Sequence, residues 1–228
     1  MPLTHTARSR LPADFKPANL PLEISFGGHR SILRWLTPAD ADRLLEFFHT
    51  HTEETIYERY GCAGVQISPE RAAELVGVDQ QRDAALGVFD AADPHQPLIA
   101  IGRYCLAASG RSAEAAFVVH EKRRRLGIGT TLCAALVAIA RERKLDRLVA
   151  QVRQGNVPMI HVLRATGAAF EWISGAPGFK ATLLLPGSSG AAGEPVAGPP
   201  RHDASLKPAV APRARSLSGL SPHRRYLD

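Results

Sequence analysis

The chain has 228 residues, 45% of them apolar, and a formal charge of +6, which is enough length for one domain with a substantial core. The charge excess lies at the ends: residues 23–185 carry 19 basic and 18 acidic side chains, against three and one in 1–22 and six and three in 186–228. With no aromatics interleaved among the bases, that distribution argues against a nucleic-acid-binding core, and no run of 18 apolar residues is present to cross a membrane.

The chain does not open on a basic segment followed by an apolar run, so the expected location is the cytoplasm. Cys62, Cys105 and Cys133 stand far apart without a C-x-x-C pair, and each is expected to be a buried, reduced thiol. Residues 1–21 read as irregular, broken by Pro2, Pro12 and Pro17. Gly27-Gly28 between Leu22–Phe26 and His29–Leu36 predicts a hairpin. Thr37 with Pro38 predicts a capped helix carrying Leu44, Leu45 and Phe48, followed by a short helix over Glu53–Tyr60. Ser68-Pro69 repeats the device before a helix bearing Leu75 and Val76. Strands are predicted at Ala84–Asp90, Leu98–Ala107 and Ser112–Val119, with turns at Asp93-Pro94 and Ser109-Gly110. A long helix to about Lys144 precedes a strand at Arg147–Val152, a helix at Val157–Thr166, and strands at Ala168–Ser174 and Phe179–Leu185. Helices set among the strands of one mixed sheet indicate an α/β or α+β layer fold. From Pro186 onward, 25 of 43 residues are Pro, Gly, Ala or Ser. That composition predicts a disordered tail, so the folded domain is expected to span 22–185.

The most informative stretch is Ala113–Gly129, a strand followed by Arg124-x-x-Gly127-x-Gly129 and an amphipathic helix. A glycine-bearing turn at a helix start directs unpaired N–H groups and the positive end of the helix dipole at one point, which suits a phosphate. Thr130-Thr131 follows without the lysine of a P-loop, and Leu132 stands where the dinucleotide fingerprint needs a third glycine. A plain strand-to-helix turn would use the same glycines; the adjoining arginines and helix favour the anion site. His49-x-His51 lacks the i, i+4 spacing of helical metal ligands, so no metal is expected.

Strand, Arg-x-x-Gly-x-Gly, helix, strand and Asn156-x-x-Met159 resemble the GNAT superfamily of acyl-CoA-dependent N-acyltransferases over roughly residues 22–185. Within it the chain looks most like the acetyltransferase domain of Pat-type bacterial protein lysine acetyltransferases. The matching segments are Arg34 to Ala41, Phe47-Phe48, Tyr57-Glu58-Arg59-Tyr60, Ile99 to Tyr104 and Ala113-Glu114. The usual Gln-Gly-x-Gly turn reads Arg124-Arg125-Leu126-Gly127 here, and the usual Gly-Phe reads Gly167-Ala168.

The resemblance implies a mixed, mostly antiparallel twisted sheet flanked by helices, with acetyl-CoA as co-substrate. It implies that the backbone of Phe117, Val118 and Val119 pairs with the pantetheine and polarises the thioester. The pyrophosphate would sit on Arg124, Arg125, Leu126, Gly127, Ile128, Gly129 and Thr130. Asn156 would either reach the cofactor or simply cap a helix. Glu114 matches the Pat glutamate that takes a proton from the amine; without the resemblance it would read as a solvent-facing carboxylate. Leu163 occupies the place where many relatives carry an acidic tyrosine. The implied acceptor is a protein lysine, on an acyl-CoA synthetase in the Pat pattern. A small-molecule amine acetyltransferase and a non-catalytic acyl-CoA-binding regulator are the alternatives.

Overall fold

The computed structural model describes residues 9–60, 67–172 and 178–185. Eight strands form one sheet in the order β1-β2-β3-β4-β5-β6-β8-β7. They are β1 (Leu22–Phe26), β2 (His29–Trp35), β3 (Ala84–Asp90), β4 (Leu98–Leu106), β5 (Ser112–Val119), β6 (Arg147–Arg153), β7 (Ala169–Trp172) and β8 (Gly178–Leu184). Every neighbouring pair is antiparallel except β5 and β6. That parallel pair needs a crossover, supplied by the helix α4 (Ile128–Glu142).

Two cores flank the sheet. On one face α4 and α5 (Val157–Ala165) lie over a cluster that includes Leu33, Leu86, Tyr104, Phe117, Leu132, Leu136 and Leu148. On the other, α1 (Ala41–His49) and α3 (Pro69–Val76) bury Phe47, Phe48, Ala72 and Val76 against Ala85, Phe89 and Ile101. α2 (Glu53–Tyr60) adds Ile56 to this second core. The side chains of Glu58, Arg59 and Tyr60 fall outside the described residues, as do Cys62, Ser174 and the tail from Pro186.

The entry to α1 differs from the sequence expectation. Thr37 opens a single 3-10 turn, Pro38–Asp40, and α1 begins only at Ala41. The reason is Asp40, whose buried carboxylate accepts from both Arg34 nitrogens (2.8 and 2.7 Å) and from the Thr37 N–H (2.9 Å) and hydroxyl (3.0 Å). Burial pushes the Asp40 pKa up, but the Arg34 and Thr37 hydrogen bonds together with the Arg34 charge outweigh it and hold the group below its ordinary value. Arg34 also lies over the Phe89 ring, 3.7 Å from its centroid. The capping at Ser68 is as expected: its hydroxyl accepts from the Arg71 N–H at 3.2 Å.

The cysteine expectation needs correction at Cys105, which is half-exposed near the end of β4. Cys133 is buried in α4, where burial pushes its thiol up to about 12. Leu11, Phe15 and Leu20 of the N-terminal segment pack on the first core, and the Arg10 N–H donates to Thr131 Oγ1 at 3.0 Å.

Candidate active site

β5 keeps its ladder with β4 from Ala113 to Val119. Its pairing with β6 stops after three registers: Ser112 with Arg147, Ala113 with Leu148, and Glu114 with Val149. Beyond Glu114 the two strands part and form a fork. Alternate N–H and C=O groups of Ala115–Val119 are therefore unpaired with any described strand along one edge, while the Val119 carbonyl accepts from Arg124.

The turn after β5 closes one side of the fork. It runs through a 3-10 turn at Glu121–Arg123 and enters the left-handed region at Arg125 (φ 64°) and Gly127 (φ 90°) before α4 starts. The Thr131 N–H meets the Gly127 carbonyl at 2.9 Å, so the helix ladder begins there. The N–H groups of Ile128, Gly129 and Thr130 precede it and have no carbonyl four residues back inside the helix. A Cβ on Gly129 would stand 3.7 Å from Val119 Cγ2 and 3.7 Å from Val162 Cγ2, at ordinary contact distance. Gly129 thus faces the gap between the end of β5 and α5, and among the described residues no packing contact requires a glycine there. What the missing side chain preserves is room above the helix N-terminus. The fork, its free backbone edge and this cradle fit a pantetheine arm ending in a pyrophosphate.

The remaining sequence candidates distribute around this fork. Ala113, Ala115 and Phe117 point into the α4 core, so Glu114, Ala116 and Val118 occupy the opposite face. Glu114 is half-buried, opposite Cys105 of β4, where the fork opens. Val119 lies beside Gly129. Arg124 is drawn away from the turn: its Nε donates to the Val119 carbonyl (3.3 Å) and its Nη2 to Thr55 Oγ1 (2.6 Å). Arg125 is exposed and Leu126 half-buried. Asn156 caps α5, its Oδ1 accepting from the Met159 N–H at 3.1 Å. Leu163 is buried and His161 exposed.

The structure adds a ring of residues that local patterns do not reveal. The Glu121 carboxylate accepts from the Thr52 N–H (3.0 Å) and hydroxyl (3.1 Å) and lies 3.2 Å from His51 Nδ1. It therefore caps the start of α2 from a distance of about seventy residues in sequence. Burial pushes Glu121 up, yet the Thr55 hydroxyl, the Thr52 N–H and the His51 charge bring it down to about 2. His51 has a side chain only 2% exposed, and burial lowers its pKa against the opposing pull of Glu121. At the other end of α2, Arg153 on β6 reaches Tyr57. The Thr52-x-x-Thr55 spacing and the two glutamates that follow Thr52 mark a helix start, but nothing nearby points to Glu121 or Arg153 as partners.

Among the described residues no group of three His, Cys, Asp or Glu could hold a metal, and no helix is long and apolar enough to cross a membrane.

Residues 30–169, more than half of the chain, match the family described as the acetyltransferase (GNAT) domain. The chain is similar in fold to the GNAT domain of S. lividans PAT, with a TM-score of 0.65 and 23% identity over 72% of this chain and 96% of that one. It is also similar to yncA from Salmonella typhimurium, solved with its cofactor acetyl-CoA: TM-score 0.57, 14% identity, 70% of this chain and 96% of that one. The cAMP-binding acyltransferase of Mycobacterium smegmatis gives a TM-score of 0.51 and 24% identity over 73% of this chain and 47% of that longer one. At such identities the solved structures speak for the fold, and the matched domain speaks for the chemistry. With a sheet forked at its one parallel pair and a glycine turn at the mouth of the fork, the chain belongs to the acetyltransferase (GNAT) family.

Proposed function

We propose that the chain moves the acetyl group of acetyl-CoA directly to the Nζ of a protein lysine, with Glu114 as general base. The observation that carries this reading is the position of Glu114: the last residue of β5 paired with β6, on the face away from α4, where the fork opens. An acceptor arriving on that face meets the carboxylate at the apex of the cleft.

The residues divide the work. The free edge of Phe117, Val118 and Val119 orients the pantetheine and polarises the thioester carbonyl. The turn from Arg124 to Thr130 holds the pyrophosphate, chiefly through backbone N–H groups of Ile128, Gly129 and Thr130. Asn156 serves first as the cap of α5, and its amide nitrogen is available to the cofactor. At pH 7 only on the order of one lysine in a thousand is neutral, given a reference pKa of about 10.4, so a base must take the proton. Glu114 does so as the C–N bond forms and the C–S bond breaks. Leu163 offers no proton to the departing thiolate, and a thiol with a pKa near 8.5 leaves without one. The likeness to the GNAT domain of S. lividans PAT supports a protein acceptor, with an acyl-CoA synthetase as the first candidate.

The test is Glu114→Gln with labelled acetyl-CoA and a lysine peptide. Turnover is expected to fall about 10²–10⁴-fold while acetyl-CoA affinity, read by calorimetry, stays at the parent value. Parent-rate turnover would place the base elsewhere. Label that appears only in small amines from a lysate would replace the protein lysine by a small-molecule acceptor.

A further inference from the structure

On the face away from α4, the second core reaches along the sheet as far as Ile101 of β4 and Val118 of β5. Farther along, the register sets Arg103 opposite Ala116 and Cys105 opposite Glu114, and directly opposed residues share a face. All four are half-buried and belong to neither core. On the other side of Glu114 the floor closes, because Ser112 and Val149, which face the same way, are each 4% exposed. An acceptor whose amine meets Glu114 therefore lays its neighbouring groups over β4, toward Cys105 and Arg103.

Arg103 is poorly matched by the protein around it. Its Nη2 donates to Cys105 Sγ at 3.1 Å, and among the described residues that thiol is its sole hydrogen-bond partner. Sulfur is a weak acceptor, whereas a guanidinium offers five N–H donors. Arg34, Arg123 and Arg143 are half-buried too, but they donate to oxygen: to Asp40, to Asp90, and to the Tyr104 hydroxyl with the Gln80 and Asp83 carbonyls. A half-buried charge without such a partner has lost hydration and gained little in its place. A carboxylate arriving with the acceptor would complete the bidentate pair that the guanidinium fork is shaped for. Arg103 is the diagonal neighbour of Glu114 across the ladder, at about 7–8 Å. In an extended peptide, side chains two positions apart lie on one side at about 7 Å. A lysine that meets Glu114 thus brings a side chain two positions away against Arg103.

We propose that Arg103 is a specificity-determining residue that binds the carboxylate of an Asp or Glu two positions from the acceptor lysine. The inference rests on the lysine acetyltransferase reading above and names the class of sequence that the site prefers. The ion pair forms on a floor partly shielded from water, where it is stronger than at an exposed surface. It holds in the ground state and in the transition state alike, so it acts through KM more than through kcat. The same guanidinium repels a basic residue at that place, which sharpens the choice.

The test compares short peptides that share one lysine and carry Glu, Gln or Arg two positions before or after it, with acetyl-CoA saturating. In the parent protein kcat/KM is expected to be about tenfold or more higher for Glu than for Gln on at least one side of the lysine, mainly through KM. Arg103→Gln brings that ratio to about one, and Arg103→Lys, which keeps the charge but not the fork, retains part of it. Arg103→Glu turns the preference toward the peptide with Arg. Structural damage would slow every peptide alike and leave the ratios where they were. Equal rates for Glu and Gln on both sides of the lysine in the parent, or a preference for Glu that survives in Arg103→Gln or Arg103→Glu, overturn the inference and leave the lysine acetyltransferase reading standing. If no peptide is acetylated, the underlying reading fails and the inference with it.

Discussion

Arg153 Nη2 stands 2.8 Å from Tyr57 Oη, with its guanidinium 4.4 Å from the centre of the same ring. Arg153 is the last residue of β6, and Tyr57 belongs to α2. The same helix receives Arg124, just past β5, on Thr55 Oγ1. One short helix therefore holds both arms of the fork.

Loosening this strap should change how the cofactor leaves more than how the protein folds. An exposed cation–π contact and its hydrogen bond are each worth about 1 kcal/mol or less, so Tyr57→Ala should leave the melting temperature almost unchanged. The dissociation rate of acetyl-CoA, followed by stopped flow, should rise, and Tyr57→Phe should fall between parent and alanine. Equal dissociation rates in all three proteins would show that α2 does not retain the cofactor.

Gly129 and Gly127 should respond differently to substitution. Gly129 has ordinary dihedrals and space for a Cβ, so Gly129→Ala should fold as well as the parent. Gly129→Glu projects a carboxylate into the phosphate cradle and should weaken acetyl-CoA binding by about 1–3 kcal/mol. Gly127 sits at φ 90°, where any side chain adds strain of about 1–3 kcal/mol, so its variants lose stability first. Calorimetry showing parent affinity in a folded Gly129→Glu variant would remove the pyrophosphate from this turn.

Acid should release the junction between α2 and the phosphate turn in two stages. His51 has a folded pKa below its ordinary 6.5, so the folded state resists its protonation and stability declines as pH falls below 6.5. Glu121, at about 2 against an ordinary 4.5, contributes fully above 4.5 and is lost as pH falls from there toward 2. The charged neighbours His120 and Arg124 oppose protonation of His51, whereas Glu121 favours it. Melting temperature against pH should therefore drop on the acid side in the parent. His51→Phe should flatten the stage below 6.5, since the titrating imidazole is gone, at the loss of its Nδ1 contact with Glu121. A parent-like acid limb in that variant would assign the loss to other groups.

Much of this architecture is legible in the residues themselves. Ala84–Asp90 and Ser112–Val119 are apolar runs bounded by polar turns, and the structure places strands over the same spans. The glycines of the phosphate turn announce a helix start, and α4 begins between them. What escapes a linear reading is whatever depends on partners far along the chain. Asp40 shortens the first turn of α1 because Arg34 comes back to it from β2. Arg124, read as a phosphate ligand from its neighbours, spends its guanidinium on Thr55, 69 residues away. Cys105 sits in an apolar stretch of sequence, yet its side of β4 is only half covered. The fork itself has no sequence marker, because it is defined by hydrogen bonds that two strands do not make.

The hairpin tip offers a last lesson about position. A Cβ on Gly27 would come within 2.8 Å of Leu126 Cδ2, so the β1–β2 turn rests against the phosphate loop. Exposed two-residue tips are ordinarily where chains accept insertions and tags. This one is a buttress: lengthening it would press from behind on the glycine turn that opens α4, a change made about a hundred residues upstream of Leu126.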